Sequence, residues 1–204
     1  MGQYTFNLGG IDGLCMIIPT VYSDDRGFFM ETYNAKEMRE AGLNISFVQD
    51  NQSFSSKGVL RGLHFQKNYP QAKLVRAIHG AVFDVAVDLR KNSQTFGRYY
   101  GAILTEENKK QLFIPHGFAH GFLVLSDIAE ICYKCDDFYH PDDEGGLAWN
   151  DPEIGIKWPC LNGIYNGNAS AEGYDVNGAP IIMSEKDQKW KGLYEVFSLR
   201  GVLE

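Results

Sequence analysis

Apolar and polar residues alternate over short runs along most of the chain. The clearest run is "AVFDVAVDLR", residues 81–90. Val82, Asp84, Ala86 and Asp88 fall on one side of it, and Ala81, Phe83, Val85, Val87 and Leu89 on the other. A two-residue period of this kind predicts a β-strand. Strand-like runs recur in "LCMIIPTVY", "GFFMETYN", "ISFVQDNQSFS", "GVLRGLHFQ", "AKLVRAIHG", "RYYGAILT", "KQLFIPHG", "HGFLVLS" and "AEICYKCDDFY". Most are bounded by Gly, Asp, Asn, Ser or Pro, which punctuate strands and build turns. Helical patterns are confined to "AKEMREAG", a stretch after "EEN" at 106–108, and "SEKDQKWKGL" near the C-terminus. Many short strands with few helices predict an all-β sandwich or barrel. From Cys160 to Pro180 the chain turns rich in Gly and Asn, and too little chain follows to form a second unit. A surface excursion at about 160–180, on a single domain spanning 1–204, is therefore expected.

One run does not fit a simple strand. In "GVLRGLHFQ", residues 58–66, Leu60, Gly62, His64 and Gln66 would share a face, opposite Val59, Arg61, Leu63 and Phe65. A core strand does not bury a histidine among apolar residues unless the ring is satisfied. The segment is either a half-solvated strand or the wall of a polar cavity.

Composition narrows the function classes. With 204 residues, 44% of them hydrophobic, the chain can bury one sizeable core. Its net charge of -7, without a long basic run, argues against general nucleic-acid or anionic-membrane binding. A small anion held by a few local cations stays compatible with it. The start "MGQYTFNLGGIDG" has no basic segment followed by an apolar one, and Phe6 breaks the myristoylation pattern. No apolar run is long enough to span a bilayer. Cys132 and Cys135 have CxxC spacing, but no second CxxC or nearby His pair completes a four-ligand set. In a strand the two would also face opposite sides. The four cysteines therefore read as ordinary reduced thiols of a cytoplasmic protein. "NIS", "NQS" and "NAS" match the glycosylation pattern and carry little weight without a signal peptide.

The chemistry must come from few residues. "IPHGFAHGF" has a Pro-x-Gly turn three residues before His120, a spacing similar to the second sequence motif of cupins. The first candidate motif, "LHFQ", has glutamine where a second ligand histidine would stand, so no bound metal is expected. Acid–base work then falls to side chains: His64 as base, Tyr133 as acid, and Lys73 or Arg61 as electrostatic stabilisers. Taken singly, His64 and Tyr133 read more readily as satisfied wall residues of a barrel. Arg61, His64, Lys73 and Arg76 lie close together in an acidic chain, which points to an anion such as a diphosphate.

"DDRGFFMETYN", "FVQDNQSFSSKGVLRGLHFQ", "PQAKLVRAIHGAVFDVAVDLR", "IPHGFAHGF", "YKCDDFYHPDDEGGLAWNDPEIGIKWP" and "SEKD" together resemble the dTDP-4-dehydrorhamnose 3,5-epimerase family. The likeness runs from about Asp24 to Trp158 and resumes at Ser184. It implies a cupin-type jelly roll with a few short peripheral helices, no metal and no other cofactor, and a homodimer. Position by position, His64 resembles the family's proton acceptor and Tyr133 its proton donor. Asp187 resembles the carboxylate that orients the histidine, and Lys73 the cation beside the keto oxygen. Arg26, Glu31, Gln49, Asn51, Arg61, His120, Glu144 and Lys186 fall on positions that hold the nucleotide sugar. Tyr139 resembles an aromatic that packs on the base. Two departures stand out: the longer 160–180 excursion, and His116 where relatives commonly carry an acidic residue.

The implied reaction is epimerisation at C3 and C5 of a dTDP-4-keto-6-deoxyhexose through an enolate. The alternatives are a mono-epimerase, a keto-isomerase of a related sugar, or a non-catalytic sugar-nucleotide-binding cupin. Removing a hydrogen alpha to the C4 ketone leaves an enolate, which Lys73 would stabilise while Asp187 supports the imidazolium. Inversion requires a second acid on the opposite face, the role Tyr133 fits. Arg61 and His64 would then have to reach one interior, so a kink or bulge near Gly62 is expected.

Overall fold

The computed structural model describes residues 3–160, 163–164, 175–176 and 179–197. Its strands are Tyr4–Leu8 (β1), Cys15–Pro19 (β2), Val21–Asp24 (β3), Gly27–Met30 (β4), Gln49–Ser56 (β5), Leu60–Gln66 (β6) and Lys73–His79 (β7). Ala81–Asp88 (β8), Tyr99–Thr105 (β9), Gln111–Ile114 (β10), Phe118–Val124 (β11), Ile128–Cys135 (β12) and Glu144–Gly146 (β13) follow. They form a six-stranded sheet, β1-β2-β10-β7-β12-β5, facing a five-stranded sheet, β13-β6-β11-β8-β9. The β3–β4 hairpin is a separate two-stranded sheet. This is the all-β fold expected from the alternation, with the cupin-like architecture that the family resemblance implied.

Apolar side chains fill three layers. Between the sheets lie Val75, Leu112 and Ile131 from one and Val82, Ala86 and Phe122 from the other. The outer face of the five-stranded sheet packs Leu63, Val85, Val87 and Leu123 against Trp149, Trp158 and Ile181. The outer face of the six-stranded sheet is covered in part by Met38 of the helix Ala35–Glu40 (α1) and by Leu43, Ile45 and Phe47. That helix begins where Asn34 accepts hydrogen bonds from the Lys36 and Glu37 amides. β8 is therefore buried on both faces, and Asp84 and Asp88 of its polar side are fully enclosed.

Two strands escaped the sequence pattern. β1 pairs along β2 at a sheet edge, and β13 is "EGG", with no alternation to read. Two helical readings need correction. After "EEN" the chain makes a turn, because the Thr105 hydroxyl accepts from the Glu107 and Asn108 amides and Asn108 accepts from Lys110. "SEKDQKWKGL" forms a short 3-10 turn, Asp187–Lys189, then extended backbone at Trp190, and only then the one-turn helix Leu193–Val196 (α2). Trp190 leaves the helix to lie over Gly146, where any Cβ would overlap its ring. The predicted 160–180 excursion falls largely outside the described residues. Within it stand the short strand pairs Pro159–Cys160 with Gly163–Ile164, and Asp175–Val176 with Ala179–Pro180. Among the described residues Cys15, Cys132 and Cys135 are free thiols, and no helix is long and apolar enough to cross a membrane.

Candidate active site

The kink expected near Gly62 is present and organises the site. β6 and β11 pair His64 with His120 and Arg61 with Phe122, so three steps on one strand oppose two on the other. Gly62 has φ +121°, and a Cβ there would stand 2.6 Å from the Gly121 Cα. Only glycine fits both constraints. The extra residue changes the parity of the strand. Leu60, Leu63 and Phe65 pack outward on the five-stranded sheet, while Arg61 and His64 line the same interior cavity.

That cavity, of about 650 Å³, lies between the sheets. The five-stranded sheet contributes Arg61, His64 and His120, and the six-stranded sheet contributes Ser53, Lys73 and Tyr133. Lys186 and Asp187 close one side from the 3-10 turn. His64 and Tyr133 therefore reach the cavity from facing sheets.

His64 Nε2 stands 2.7 Å from Asp187 Oδ1. The bond holds the Nε2–H tautomer and leaves Nδ1 as the nitrogen able to accept a proton. Burial raises the Asp187 carboxyl, but hydrogen bonds from His64, the Gly62 amide and the Trp190 indole outweigh it and hold the group below its ordinary value. Asp187 thus stays anionic beside the imidazole.

Across the cavity, burial pushes the Lys73 ammonium below its usual range, against the raising effect of Asp84 and Glu144. Among the described residues Lys73 has no ion-pair partner, so its charge is available to a ligand. Its nitrogen lies 5.9 Å from the centre of the Tyr133 ring. Burial also raises the Tyr133 hydroxyl, which keeps it a protonated donor at neutral pH. Cys135, cross-strand from Lys73, is pushed up to about 11 by burial and stays a neutral thiol.

A hydrogen-bonded rim extends from the cavity. Tyr139 donates its hydroxyl to Glu144 at 2.8 Å, and Lys186 donates to both Glu144 oxygens. The Tyr139 amide donates to Gln49 at 3.1 Å, and Gln49 donates to Asn51 at 3.0 Å. Glu144 Oε1 also comes within 3.9 Å of His64 Nδ1. The Tyr139 ring is about half exposed, so it is open to a flat partner.

Not all of the expected residues converge. Arg26 sits at the tip of the β3–β4 hairpin, its side chain 90% exposed and paired with Asp24. Glu31 follows the hairpin and accepts from Asn34 at 3.0 Å. Neither lines the cavity. Arg76 does not join the cations there either, because it stands three residues from Lys73 on β7 and alternates away from it to the outer face. His116 pairs with Asp136 at 2.6 Å rather than lining the cavity. Among the described residues no three His, Cys, Asp or Glu side chains converge as a metal set. His64 and His120 are each bonded to a carboxylate of their own.

Three participants were missed from sequence. Ser53 alternates with Asn51 on β5, and its buried hydroxyl finds no partner among the described residues. Asp84 accepts from His120 Nε2 at 3.0 Å, and the period-two pattern of β8 carried that signal. Trp190 donates to Asp187, three residues away along a helical turn.

A two-sheet cupin-like β fold that sets a His–Asp pair, a lysine and a tyrosine around one cavity matches a class of carbohydrate epimerases. The chain belongs to the dTDP-4-dehydrorhamnose 3,5-epimerase family, a family of isomerases whose model matches residues 9–195. It is 51% identical over 195 residues to a dTDP-4-dehydrorhamnose 3,5-epimerase from Methanothermobacter thermautotrophicus, covering 96% of this chain and 97% of that one. Among solved structures, a dTDP-6-deoxy-D-glucose-3,5-epimerase from Legionella pneumophila, in complex with dTDP-4-keto-L-rhamnose, aligns with TM-score 0.82. It is 46% identical, with 93% of each chain covered. A 3'-monoepimerase from Streptomyces bikiniensis, in complex with dTDP-quinovose, aligns with TM-score 0.79 at 30% identity, covering 93% of this chain and 89% of that one.

Proposed function

We propose that the protein epimerises C3 and C5 of a dTDP-4-keto-6-deoxyhexose, with His64 as base and Tyr133 as acid. The observation that carries the assignment is that these two side chains reach one cavity from facing sheets, as inversion of a carbon demands. His64 Nδ1 takes the proton alpha to the C4 ketone, the C–H bond breaks, and its electron pair passes to O4 as an enolate. Lys73 stabilises that charge, and its depressed affinity for its own proton makes it a stronger hydrogen-bond donor to O4. Tyr133 returns a proton to carbon from the other face, and solvent exchange resets both groups. Arg61 and Lys186 at the cavity are the cations placed for the diphosphate, and Tyr139 is the ring placed for the base.

The same reading includes a homodimer in the cytoplasm. Among the described residues the β3–β4 hairpin pairs with no other strand and exposes Tyr22, Phe28 and Phe29, and β5 is a sheet edge with Phe54 exposed. A second copy would cover these surfaces. It would also give Arg26 and Glu31 a pocket to serve, since they do not reach their own.

The test is incubation with dTDP-4-keto-6-deoxyglucose in deuterium oxide, with exchanged positions counted by NMR. Exchange at both C3 and C5 is the expected result, and no exchange at either overturns the proposal. Exchange at one carbon alone would establish mono-epimerisation, the activity named for the Streptomyces 3'-monoepimerase that is 30% identical to this chain.

A further inference from the structure

Asp187 Oδ1 accepts two hydrogen bonds. One comes from His64 Nε2 at 2.7 Å, the other from the Trp190 indole at 3.3 Å. The Gly62 amide approaches the second oxygen at 3.4 Å. Trp190 also meets the His64 ring edge-on, at 6.5 Å between centres and 72° between planes. Its other side rests on Gly146, where a side chain would displace it. The sequence forms no continuous helix here, and the extended backbone at Trp190 is what turns the indole back onto the dyad.

We propose that Trp190 is a positioning residue that tunes the basicity of His64 through the shared oxygen of Asp187. The inference rests on the reading of His64 as the base. A carboxylate that already accepts an indole N–H has less negative charge to offer an imidazolium. Trp190 therefore makes His64 a weaker base than Asp187 alone would. A base that must collect a proton from two carbons in turn has to release the first one to solvent. An undiluted ion pair with Asp187 would hold that proton longer.

Other charged and titratable groups face His64, but none competes for this oxygen among the described residues. Glu144 of β13 approaches Nδ1 at 3.9 Å, and Lys186 is engaged with Glu144. His120 of β11 is bonded to Asp84 of β8. Arg61 donates to Ser55 on β5, and Lys73 of β7 and Tyr133 of β12 stand across the cavity. Removing the indole N–H thus changes the His64–Asp187 pair and leaves these contacts in place.

The experiment compares the parent protein with Trp190→Phe, which keeps an aromatic ring against Gly146 and His64 but has no N–H. The kcat/KM profile is measured against pH, and the His64 ring resonances are titrated by NMR. In Trp190→Phe both midpoints should rise together by about 0.5–1 pH unit, with plateau kcat within about threefold and KM within about twofold. Unchanged midpoints overturn the proposal. A uniform fall in kcat at every pH, without a shift, also overturns it, because it marks a packing role alone. If Trp190→Phe does not fold, the parent decides: the Trp190 indole N–H resonance must move with the His64 midpoint, and a flat response overturns the proposal. If the parent's rate does not follow the His64 midpoint, His64 is not the base. The NMR shift between the two proteins still reports whether Trp190 acts on the dyad.

Discussion

Two His–Asp pairs stand side by side in the cavity wall, and their difference separates chemistry from support. His64 and His120 are cross-strand partners, and each bonds a carboxylate through Nε2. The His120 side chain is 8% exposed and Asp84 is fully buried on the neighbouring strand. The His64 side chain is 29% exposed, and its carboxylate arrives from a turn 123 residues along the chain. A base must touch the carbon acid it deprotonates, so access favours His64. A carboxylate locked inside a sheet instead fixes a ring in place. The first pair should therefore govern rate and the second stability.

The largest effect should come from removing the base. His64→Asn should abolish deuterium incorporation at both C3 and C5, a rate loss of about 10²–10⁴-fold or more. Retained exchange with the variant would transfer the role to His120 and reverse the comparison. Tyr133→Phe should reduce epimerised product by about 10²–10⁴-fold while exchange with solvent persists, since His64 can return the proton to the original face. If Tyr133→Phe epimerises as fast as the parent, Tyr133 is a wall residue and the acid lies elsewhere.

Much of this contrast was legible in the sequence, and the gaps have physical causes. Strand alternation located β6 to β12 because each buries apolar side chains, whereas β5 turns polar side chains inward and was located by its period and its flanking residues. It could not locate β13, whose two glycines carry no pattern, or the edge strand β1. The conflict between Arg61 and His64 predicted the bulge, and Gly62 marked its place. Asp84 was visible as a polar residue on an apolar strand, but nothing in the local pattern named its partner on β11. Arg76 misled, because it lies three residues from Lys73 on the same strand and so turns to the opposite face of the sheet. Asp187 came from the family likeness rather than from spacing, and the Trp190 bond to it arises because the expected helix breaks off after Lys189. Arg26 and Glu31 were named by resemblance, and the fold of one chain does not bring them to the cavity.

The two carboxylates should also separate by stability. Asp84→Ala leaves His120 buried without its partner, and breaking a buried pair costs about 3 kcal/mol. For a chain of this size that corresponds to a fall in Tm of roughly 6–12 °C. Asp187→Ala leaves His64, Trp190 and an amide beside a cavity that water can enter, so the loss should be about 1 kcal/mol. Its kcat should fall about 100-fold or more, because the imidazole loses its orienting partner. Thermal unfolding and turnover of both variants test the split. Equal Tm losses with equal rate losses would show that the two pairs form one functional unit.

A third buried carboxylate on β8 extends the comparison to acid stability. Asp88 accepts from the Arg90 guanidinium twice at 2.8 Å, from the hydroxyls of Ser93 and Thr95 at 2.6 Å, and from the Arg90 amide at 3.0 Å. Burial opposes its ionisation, but these donors prevail and bring its pKa from 3.8 down to about 2. A folded-state value below the unfolded one means that the unfolded chain binds the proton more readily. The stabilisation is complete above about pH 4 and is lost as pH falls through about 2, and it amounts to about 2 kcal/mol. Urea unfolding at about pH 5 and at about pH 2.5, for the parent and Asp88→Asn, reads this directly. The parent should lose more stability between the two conditions than the variant, because the amide cannot take up the proton. Parallel losses would assign the acid sensitivity to other carboxylates. Asp187, also buried and held below its ordinary value, would then be the next to substitute. That outcome would tie acid stability to the same pair that sets the rate.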